Sequence, residues 1–570
     1  MKRIQPAFLT FFLPTIAFTA PNPSLPPPAG SAGVVERQIQ QEYETTEVPP
    51  EKEIPLIEVE EPKEQLRIPE GIKVHIDSIE FEGNTAYTDY QLRETIRDCV
   101  PADCTMQDIK EICAKVRAKY IADGYFLARV YPPPQEIHDG KLKVAIIEGK
   151  LGKVSVVGNK YYQTDFIEAY FRPLQGEAVN YNQYLKTLLL LNENSDMHAG
   201  AVFKKGEVPG TCDLIVRVND ARPAHLYLNT NNYGSGFNSR QRSGGRFDWG
   251  NIMLDGDKLS FTGVLGSPVN QLRFADVHYN FLLSKPKGIR IDFSYLYSDF
   301  RDSAFHSLHL KGRSEIGSVQ VDFPHLRTRR LNTDYYLAFD AKRIQNFAVH
   351  QTVSEDKLRI VRAGLNIDYI DGKKGRNIWE FWYYQGIPSF LDGSGVVSSK
   401  PTRAGAGGQF SIATLGYKRL QQLPQDTMLW ANFYGQFSGN KLPQAQQIYI
   451  GGIDTVRGYP NAAGLGDFGY YFNLEARMPI YGLADKKVPW SKKTWKEFLQ
   501  FVAFLDHGQI FLHGSSPNEI HHVHMTSMGV GARMNGPWGI DLSFDVGFPL
   551  SHQTRTSHAI TYFKVSWNPF

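Results

Sequence analysis

Arg457 lies in Gly451-Gly452-Ile453-Asp454-Thr455-Val456-Arg457-Gly458-Tyr459-Pro460, a glycine-rich, mostly apolar stretch between two amphipathic strand patterns. A cation in such surroundings calls for an anionic partner, because an unpaired charge removed from water is costly. The candidate is Asp506, in Phe504-Leu505-Asp506-His507-Gly508. Leu499, Phe501, Ala503 and Leu505 share one parity of that segment, which puts Asp506 on the opposite face with Gln500 and Gly508. The chemistry open to a guanidinium and a carboxylate is mechanical: several charge-assisted hydrogen bonds, with about 3–5 kcal/mol lost when one partner is stranded. That is enough to hold or release a loop.

Other reactive groups are less organised. His521, His522 and His524 form a short tract in an expected outer loop, either a metal site or a plain polar loop. Cys99, Cys104 and Cys113 cluster, and Cys212 stands apart. A Cys99–Cys104 bridge between two helices, a Cys99–Cys113 bridge and free buried thiols are all open; metal binding is disfavoured without a C-x-x-C pair or a nearby His. No Gly-rich loop followed by Lys-Ser/Thr is present, which leaves nucleotide-driven work without residues. Ser and Asp residues of the strand segments lack a convergent His, so neither an enzyme nor a cofactor is expected. Lys plus Arg number 62 against 59 Asp plus Glu, a balance that argues against a nucleic-acid-binding face.

The elements that must place Arg457 and Asp506 are strands. From about residue 223 to residue 570 the hydrophobic period is two. Ile289, Ile291, Phe293, Tyr295 and Tyr297 alternate with Arg290, Asp292, Ser294 and Ser298; Phe472, Leu474, Ala476 and Met478 alternate with Asn473, Glu475 and Arg477. Charges at every second position do not suit a dry core, but they suit a water-filled lumen. The runs span about 10–14 residues, longer than most soluble strands and long enough to cross a bilayer at a tilt. The longest apolar run, near Leu185–Leu191, is too short for a spanning helix. Short turns such as Asp255-Gly256-Asp257, Lys285-Pro286-Lys287-Gly288 and Asn535-Gly536-Pro537 alternate with long loops at 390–408 and 438–469. Periplasmic turns and outer loops of an outer-membrane barrel alternate in this way. About sixteen antiparallel strands are expected, with the long basic connection 481–497 leaving the count open by one hairpin.

Upstream, residues 1–20 read as a secretory signal, with Met1-Lys2-Arg3, an apolar core and small residues at Ala17 and Ala20. Residues 21–71 are Pro-rich and then acidic, and cannot fold alone. Within them, about 33–44 reads as a helix with Val35, Ile39 and Tyr43 on one face. Twelve residues make a marginal helix in water, so this one needs a host surface. Residues 72–149 and 150–222 each read as a small unit of one strand, two helices and two strands. The turn Gly83-Asn84 recurs 75 residues on as Gly158-Asn159.

These features resemble the outer-membrane transporters of two-partner secretion, the TpsB family. Val456-Arg457-Gly458-Tyr459 resembles that family's pore-loop motif, and Phe504-x-Asp506-x-Gly508 resembles its strand motif. Tyr125, Arg129, Pro134 and Gln135, with Asp139-Gly140-x-Leu142 and Ile147-Glu148-Gly149, resemble its first POTRA domain, although Pro132 stands where Leu is usual. The resemblance implies a membrane β-barrel preceded by two α+β POTRA domains and an N-terminal plug helix. It implies that Arg457 meets Asp506 inside the pore, and that Tyr125, Arg129, Pro134 and Gln135 contact the partner. That partner would be a TpsA-like exoprotein from a neighbouring gene, secreted in extended form without nucleotide hydrolysis. Outer-membrane lipid and the barrel-assembly machinery, the latter addressed by terminal Phe570, are the other implied partners of an expected monomer with its POTRA domains in the periplasm. The rival readings are a barrel-assembly factor of the same superfamily and a diffusion or nutrient-uptake porin.

Overall fold

The structure is a computed structural model, and it describes residues 31–44, 57–59, 73–137, 139–235, 239–301, 309–514, 520–551 and 558–569. The expected signal at 1–20, most of the linker, and Phe570 lie outside the described residues.

In the first α+β unit, strand Lys141–Ile147 is central, parallel to Ser78–Glu82 and antiparallel to Arg129–Tyr131. Helices Asp89–Thr95 and Met106–Ala122 cover it. Each opens on a threonine capping box, Thr88 with Gln91 and Thr105 with Asp108, which satisfies backbone donors that the first turn leaves unpaired. The sequence pattern of a helix over about residues 90–99 is cut short: the helix stops at Thr95, followed by one 3-10 turn at Arg97–Cys99. Pro101 accounts for this, because a proline disfavours helical geometry in the residue before it, and Val100 is extended. Strand Ala102–Thr105 then pairs with Lys73–Ile76, so Cys104 sits on a strand and not on a helix.

The second unit repeats the plan with strands Lys150–Val157, Met197–Lys205 and Thr211–Asp220 and helices Thr164–Phe171 and Tyr181–Leu191. The repeated Gly-Asn turn has the same physical cause twice. Gly83 and Gly158 have φ of +89° and +93°, and a Cβ on either would lie 2.3 or 2.4 Å from a strand carbonyl, at Ile146 or Val218. A buried acid closes each turn. Glu148 accepts from Ala86 N at 2.8 Å, from the Tyr120 hydroxyl at 2.9 Å and from the Thr85 hydroxyl. Asp220 accepts from the backbone N–H groups of Lys160, Tyr161 and Tyr162 at 2.8, 2.8 and 3.1 Å.

Among the described residues, sixteen antiparallel strands from Ala224–Asn231 to Ile560–Trp567 close in sequence order into a barrel. The 481–497 connection adds no strand. It leads into the short helix Trp495–Phe498, where Trp490, Trp495 and Phe498 pack edge to face. Phe293, Tyr295, Leu337, Phe381, Phe501 and Leu505 are exposed on the outer wall, as lipid contact requires, while Asp276, Asp340, Arg362 and Glu380 line the interior. Lys311–Arg327, Leu331–Ala348 and Gln351–Ile370 run 17, 18 and 20 residues, longer than expected. Their far ends carry Arg343 and Gln345, both donating to Glu355 Oε1 at 2.9 Å, so the extra length is a polar collar.

The second unit seats on the barrel's short turns. Arg327 Nε donates to Glu193 Oε1 at 2.6 Å, and Arg290 donates to Asn194 Oδ1 at 2.9 Å and to the Gly256 carbonyl at 3.1 Å. Helix Ala32–Glu44 lies inside the barrel. Ala32, Val35 and Ile39 pack on Val264, Leu272, Phe274, Leu296, Phe300, Ile316 and Ile344 of the wall. The side chain of Tyr43 lies outside the described residues.

All four cysteines are free thiols, with Cys104, Cys113 and Cys212 buried. Burial pushes the Cys113 thiol up to about 11 and the Cys212 thiol up to about 12, so both stay protonated and unreactive near neutrality. Iodoacetamide at pH 8 is expected to modify Cys99 first and to reach Cys113 and Cys212 only on unfolding. Unreduced, unfolded protein should then show four free thiols by mass spectrometry; recovery of two would establish a bridge.

Candidate functional site

The 438–467 loop joins strands Met428–Phe437 and Phe468–Pro479, and its composition dictates where it goes. Ile448, Ile450, Val456 and Tyr459 are too apolar for an outer loop in water, and the loop turns inward to bury them against Tyr471, Ile510, Val523 and Met525 of the wall. A two-stranded hairpin, Ile448–Ile450 with Gly464–Gly466, gives the inward segment internal backbone bonds. Two glycine contacts let it press against the wall. Gly458, at φ +87°, meets Gly547 so closely that a Cβ on it would lie 2.9 Å from the Gly547 carbonyl carbon. A Cβ on Gly508 would lie 3.0 Å from both Ile450 and Val456.

This packing delivers Arg457, 4% exposed, to two wall carboxylates. Its Nε and Nη2 donate to Asp506 Oδ2 and Oδ1 at 2.7 and 2.9 Å, a bidentate pair, and its backbone N–H adds a third bond to Oδ2 at 3.1 Å. Nη1 donates to Glu475 Oε2 at 2.7 Å. The guanidinium carbon sits 3.5 Å from the centre of the Phe504 ring, which shields the pair from water and adds a cation–π contact. Asn473 donates to Asp506 Oδ1 at 3.0 Å and also to the Thr455 carbonyl, tying wall to loop a second time. Beyond the arginine, the Tyr562 hydroxyl accepts from Gly458 N at 3.2 Å and donates to the Tyr459 carbonyl at 3.1 Å. The Tyr459 hydroxyl donates to the Thr526 carbonyl at 2.8 Å and accepts from Ser551 N at 3.0 Å.

Sequence reasoning paired Arg457 with Asp506 and missed the rest. Glu475 was visible as a lumen-parity residue, and strand register would have placed it: Asn473 faces Asp506, and Glu475 follows on the same face. A second clamp left no motif at all. Arg403 Nη1 donates to both Asp467 oxygens at 2.7 and 2.8 Å, and Asp467 also accepts from Leu442 N, the Gln447 amide and His513 N. One buried carboxylate thus gathers three loops.

The helix inside the barrel leans on this loop. Val34 packs with Tyr449, Ala462 and Leu465, Arg37 Nη2 donates to the Gln444 carbonyl at 3.2 Å, and the Tyr449 hydroxyl donates to Gln41. Glu42 accepts from Asn231 and lies 3.7 Å from Arg242. Among the described residues, Glu36, also fully buried, finds no hydrogen-bond partner for either carboxylate oxygen, and the Gln38 amide finds none either. A polar cavity of about 540 Å³ remains beside the helix, bordered by Asp276, His278, Asp340, Lys342, Arg362 and Glu380.

Residues 210–534 match the family model for haemolysin secretion/activation proteins ShlB/FhaC/HecB, and residues 74–149 match the ShlB-type POTRA domain. The chain belongs to the ShlB/FhaC/HecB family. It is an outer-membrane β-barrel of the two-partner secretion type, with POTRA domains on the periplasmic side. Among characterised relatives it is similar to the heme/hemopexin transporter protein HuxB of Haemophilus influenzae, 21% identical over 428 residues that cover 72% of this chain and 74% of that one. It is also similar to the outer membrane transporter CdiB of Escherichia coli, 21% identical over 572 residues, 97% of this chain and 92% of the other. Solved structures of CdiB share the fold. That from Escherichia coli has a TM-score of 0.77 at 16% identity, covering 94% of this chain and 99% of its own. That from Acinetobacter baumannii has a TM-score of 0.69 at 16% identity, covering 96% and 100%.

In this ShlB/FhaC/HecB-family chain the four POTRA residues singled out by sequence do not form one cluster. Tyr125 packs edge-on with Tyr87 and Tyr120, while Arg129 and Pro134 are exposed. The Gln135 side chain accepts from Lys143 N at 2.8 Å and donates to its carbonyl at 2.6 Å. It substitutes for the strand bonds that Pro132-Pro133-Pro134 cannot donate. The histidine tract is not a loop: His522 and His524 begin strand His522–Asn535, where His522 stacks on Phe511 at 4.6 Å. An apolar partner across the strand pair explains that placement.

Arg457→Ala would leave Asp506 and Glu475 buried with only Arg477 and Arg533 nearby, a cost on the order of 3–5 kcal/mol. The variant barrel should stay folded, with heat-modifiable migration on gels, while its 438–467 loop becomes sensitive to protease. A loop as resistant as the parent's would contradict the clamp.

Proposed function

We propose that this chain exports one partner exoprotein, TpsA-like and encoded nearby, by capturing it in extended form with its POTRA units and passing it through the barrel lumen. What supports this reading is that the lumen is filled twice, by helix Ala32–Glu44 and by the clamped loop, so the conduit is gated. A diffusion porin has no use for such stoppers. The helix is also built to leave. Its burial takes the Glu36 carboxylate out of bulk water, with the Lys342 and Arg37 charges in partial compensation, and a desolvated charge is costly. Release restores that carboxylate to water. The Val456, Arg457, Gly458, Tyr459, Asp506 and Gly508 set then acts as the hinge that keeps the loop in register while the helix moves.

No nucleotide step is needed. A client that folds outside cannot return, so its folding free energy supplies direction. The barrel sits in outer-membrane lipid as a monomer, placed there by the assembly machinery.

Deleting the gene should trap a single exoprotein in the periplasm. Loss of many barrels from the outer membrane would instead establish an assembly factor. In planar bilayers, removal of residues 31–44 should raise the time spent open by about tenfold or more, the response of a two-state gate to losing a contact worth ~1.4 kcal/mol. An intact chain already open at the same level would indicate a porin.

A further inference from the structure

The outer wall of the barrel is lopsided in charge. The second unit seats on the short turns, so the far rim is the extracellular one. On strands Ile289–Arg301, Lys311–Arg327, Leu331–Ala348 and Gln351–Ile370, odd-numbered side chains face outward, and the register sets them side by side. Ile291, Val321, Leu337 and Ala363 form one row across the four strands, and Phe293, Val319, Phe339 and Val361 form the next. Neither row carries a charge, as contact with acyl chains requires. Towards the far rim come Tyr295, Gly317, Ala341 and Arg359, then Tyr297, Glu315, Arg343 and Lys357. Asp299, Arg313, Gln345 and Glu355 follow, and Arg301 stands beside Lys311 in the last row. The surface therefore passes from hydrocarbon to head-group character within one or two rows. Near the same rim the opposite wall presents Ala413, Phe437, Phe468, Phe511 and Phe548, none of them charged.

Much of this positive charge is not neutralised by the protein. Arg343 is paired with Glu355, and Lys357 with Asp392. Arg359 donates instead to carbonyls, those of Leu391 at 2.9 Å and Leu358 at 3.0 Å, which fix the guanidinium without cancelling it. Asp299 lies between Arg273 and Arg313 of the two neighbouring strands. Among the described residues, Arg301, Lys311 and Arg313 make no ion pair, and the Arg313 guanidinium lies 5.9 Å from the centre of the Tyr297 ring.

On the membrane side of these cations the wall has a hollow. A Cβ on Gly317 would meet nothing within 4 Å. The missing side chain opens a space of about 440 Å³ bordered by Phe293, Tyr295, Val319, Phe339 and Ala341. Its border is apolar or aromatic, and it lies one row from Arg343 and two from Arg313.

We propose that this face holds one outer-leaflet glycolipid of the lipid A type, with its phosphates among Arg301, Lys311 and Arg313 and an acyl chain in the hollow over Gly317. Guanidinium and ammonium groups match phosphate oxygens in charge and in hydrogen bonding. The hollow asks for a hydrocarbon chain attached to that phosphate, which a free phosphate lacks. The site faces lipid and not the lumen, so it is independent of the export reading and requires only a barrel in the outer membrane.

Full-length protein in detergent micelles, titrated with bisphosphorylated lipid A and followed by native mass spectrometry, tests the site. Phosphatidylglycerol, the dephosphorylated glycolipid and inorganic phosphate are titrated in parallel. The parent should hold one lipid A about tenfold or more tightly than either other lipid, and inorganic phosphate should not displace it. Lys311→Gln with Arg313→Gln should weaken lipid A binding about tenfold. Lys373→Gln with Lys374→Gln removes the same charge from a periplasmic turn and should leave it unchanged. Gly317→Trp fills the hollow from an open position and should also weaken binding about tenfold. Heat-modifiable migration on gels reports that each variant barrel is folded. Equal affinity in the parent and the Lys311/Arg313 variant, or an equal loss in both charge pairs, would overturn the head-group site. Unchanged affinity in Gly317→Trp, or displacement by inorganic phosphate, would overturn the acyl slot. Phosphatidylglycerol or the dephosphorylated glycolipid held as tightly as lipid A would overturn the assignment of the occupant.

Discussion

A carboxylate pair on the wall of a tight lumen sets the terms for the rest of this molecule. Asp506 and Glu475 lie within a few ångströms of each other's arginine, both almost fully removed from water, beside Phe504. Arg477 and Arg533 of the wall also meet Glu475, while Asp506 takes its bidentate pair from Arg457, brought by a loop whose apolar residues have the same reason to enter the barrel. Electrostatics and hydrophobic burial therefore make the same demand on one segment. Either alone would leave the loop undecided; together they fix its place.

With the loop inside, the space left over has a shape, and the N-terminal helix fits it. The helix is apolar where it meets the wall at Val35 and Ile39, and polar where it borders the wet cavity. That division explains why a chain with twelve or so helical residues and no hydrophobic partner of its own still forms a helix here. The fit carries a cost, since it holds the Glu36 carboxylate out of bulk water. The second unit sits on the barrel's short turns through Arg290 and Arg327.

Much of this was legible before any coordinates. Period-two alternation gave the barrel and its two faces, because lipid outside and water inside impose opposite polarities on successive residues. The Gly-Asn repeat gave the paired POTRA units, because only glycine tolerates the left-handed turn against a strand carbonyl. Arg457 and Asp506 could be matched because Arg457 is the one cation of its glycine-rich stretch and Asp506 the one carboxylate of its strand. Partners set among ordinary lumen charges were not legible: Glu475, Asp467 and Arg403 look like any other inward-facing residue until strand register aligns them. The Ala102–Thr105 strand hid behind a helical pattern that Pro101 cuts short, and the linker strand Ile57–Val59 is too brief for any periodicity. It pairs in parallel with strand Met197–Lys205, Ile57 beside Ala201, 144 positions away.

The central claim is that Arg457 holds the loop in the lumen through the wall carboxylate at position 506. It is tested most directly by exchanging the two charges. Arg457→Asp and Asp506→Arg should each expose the 438–467 loop to protease in otherwise folded barrels, and the double variant should regain protection, with a coupling energy of about 1.5 kcal/mol or more. Strictly additive single effects, with the double variant the most exposed of the three, would contradict the account.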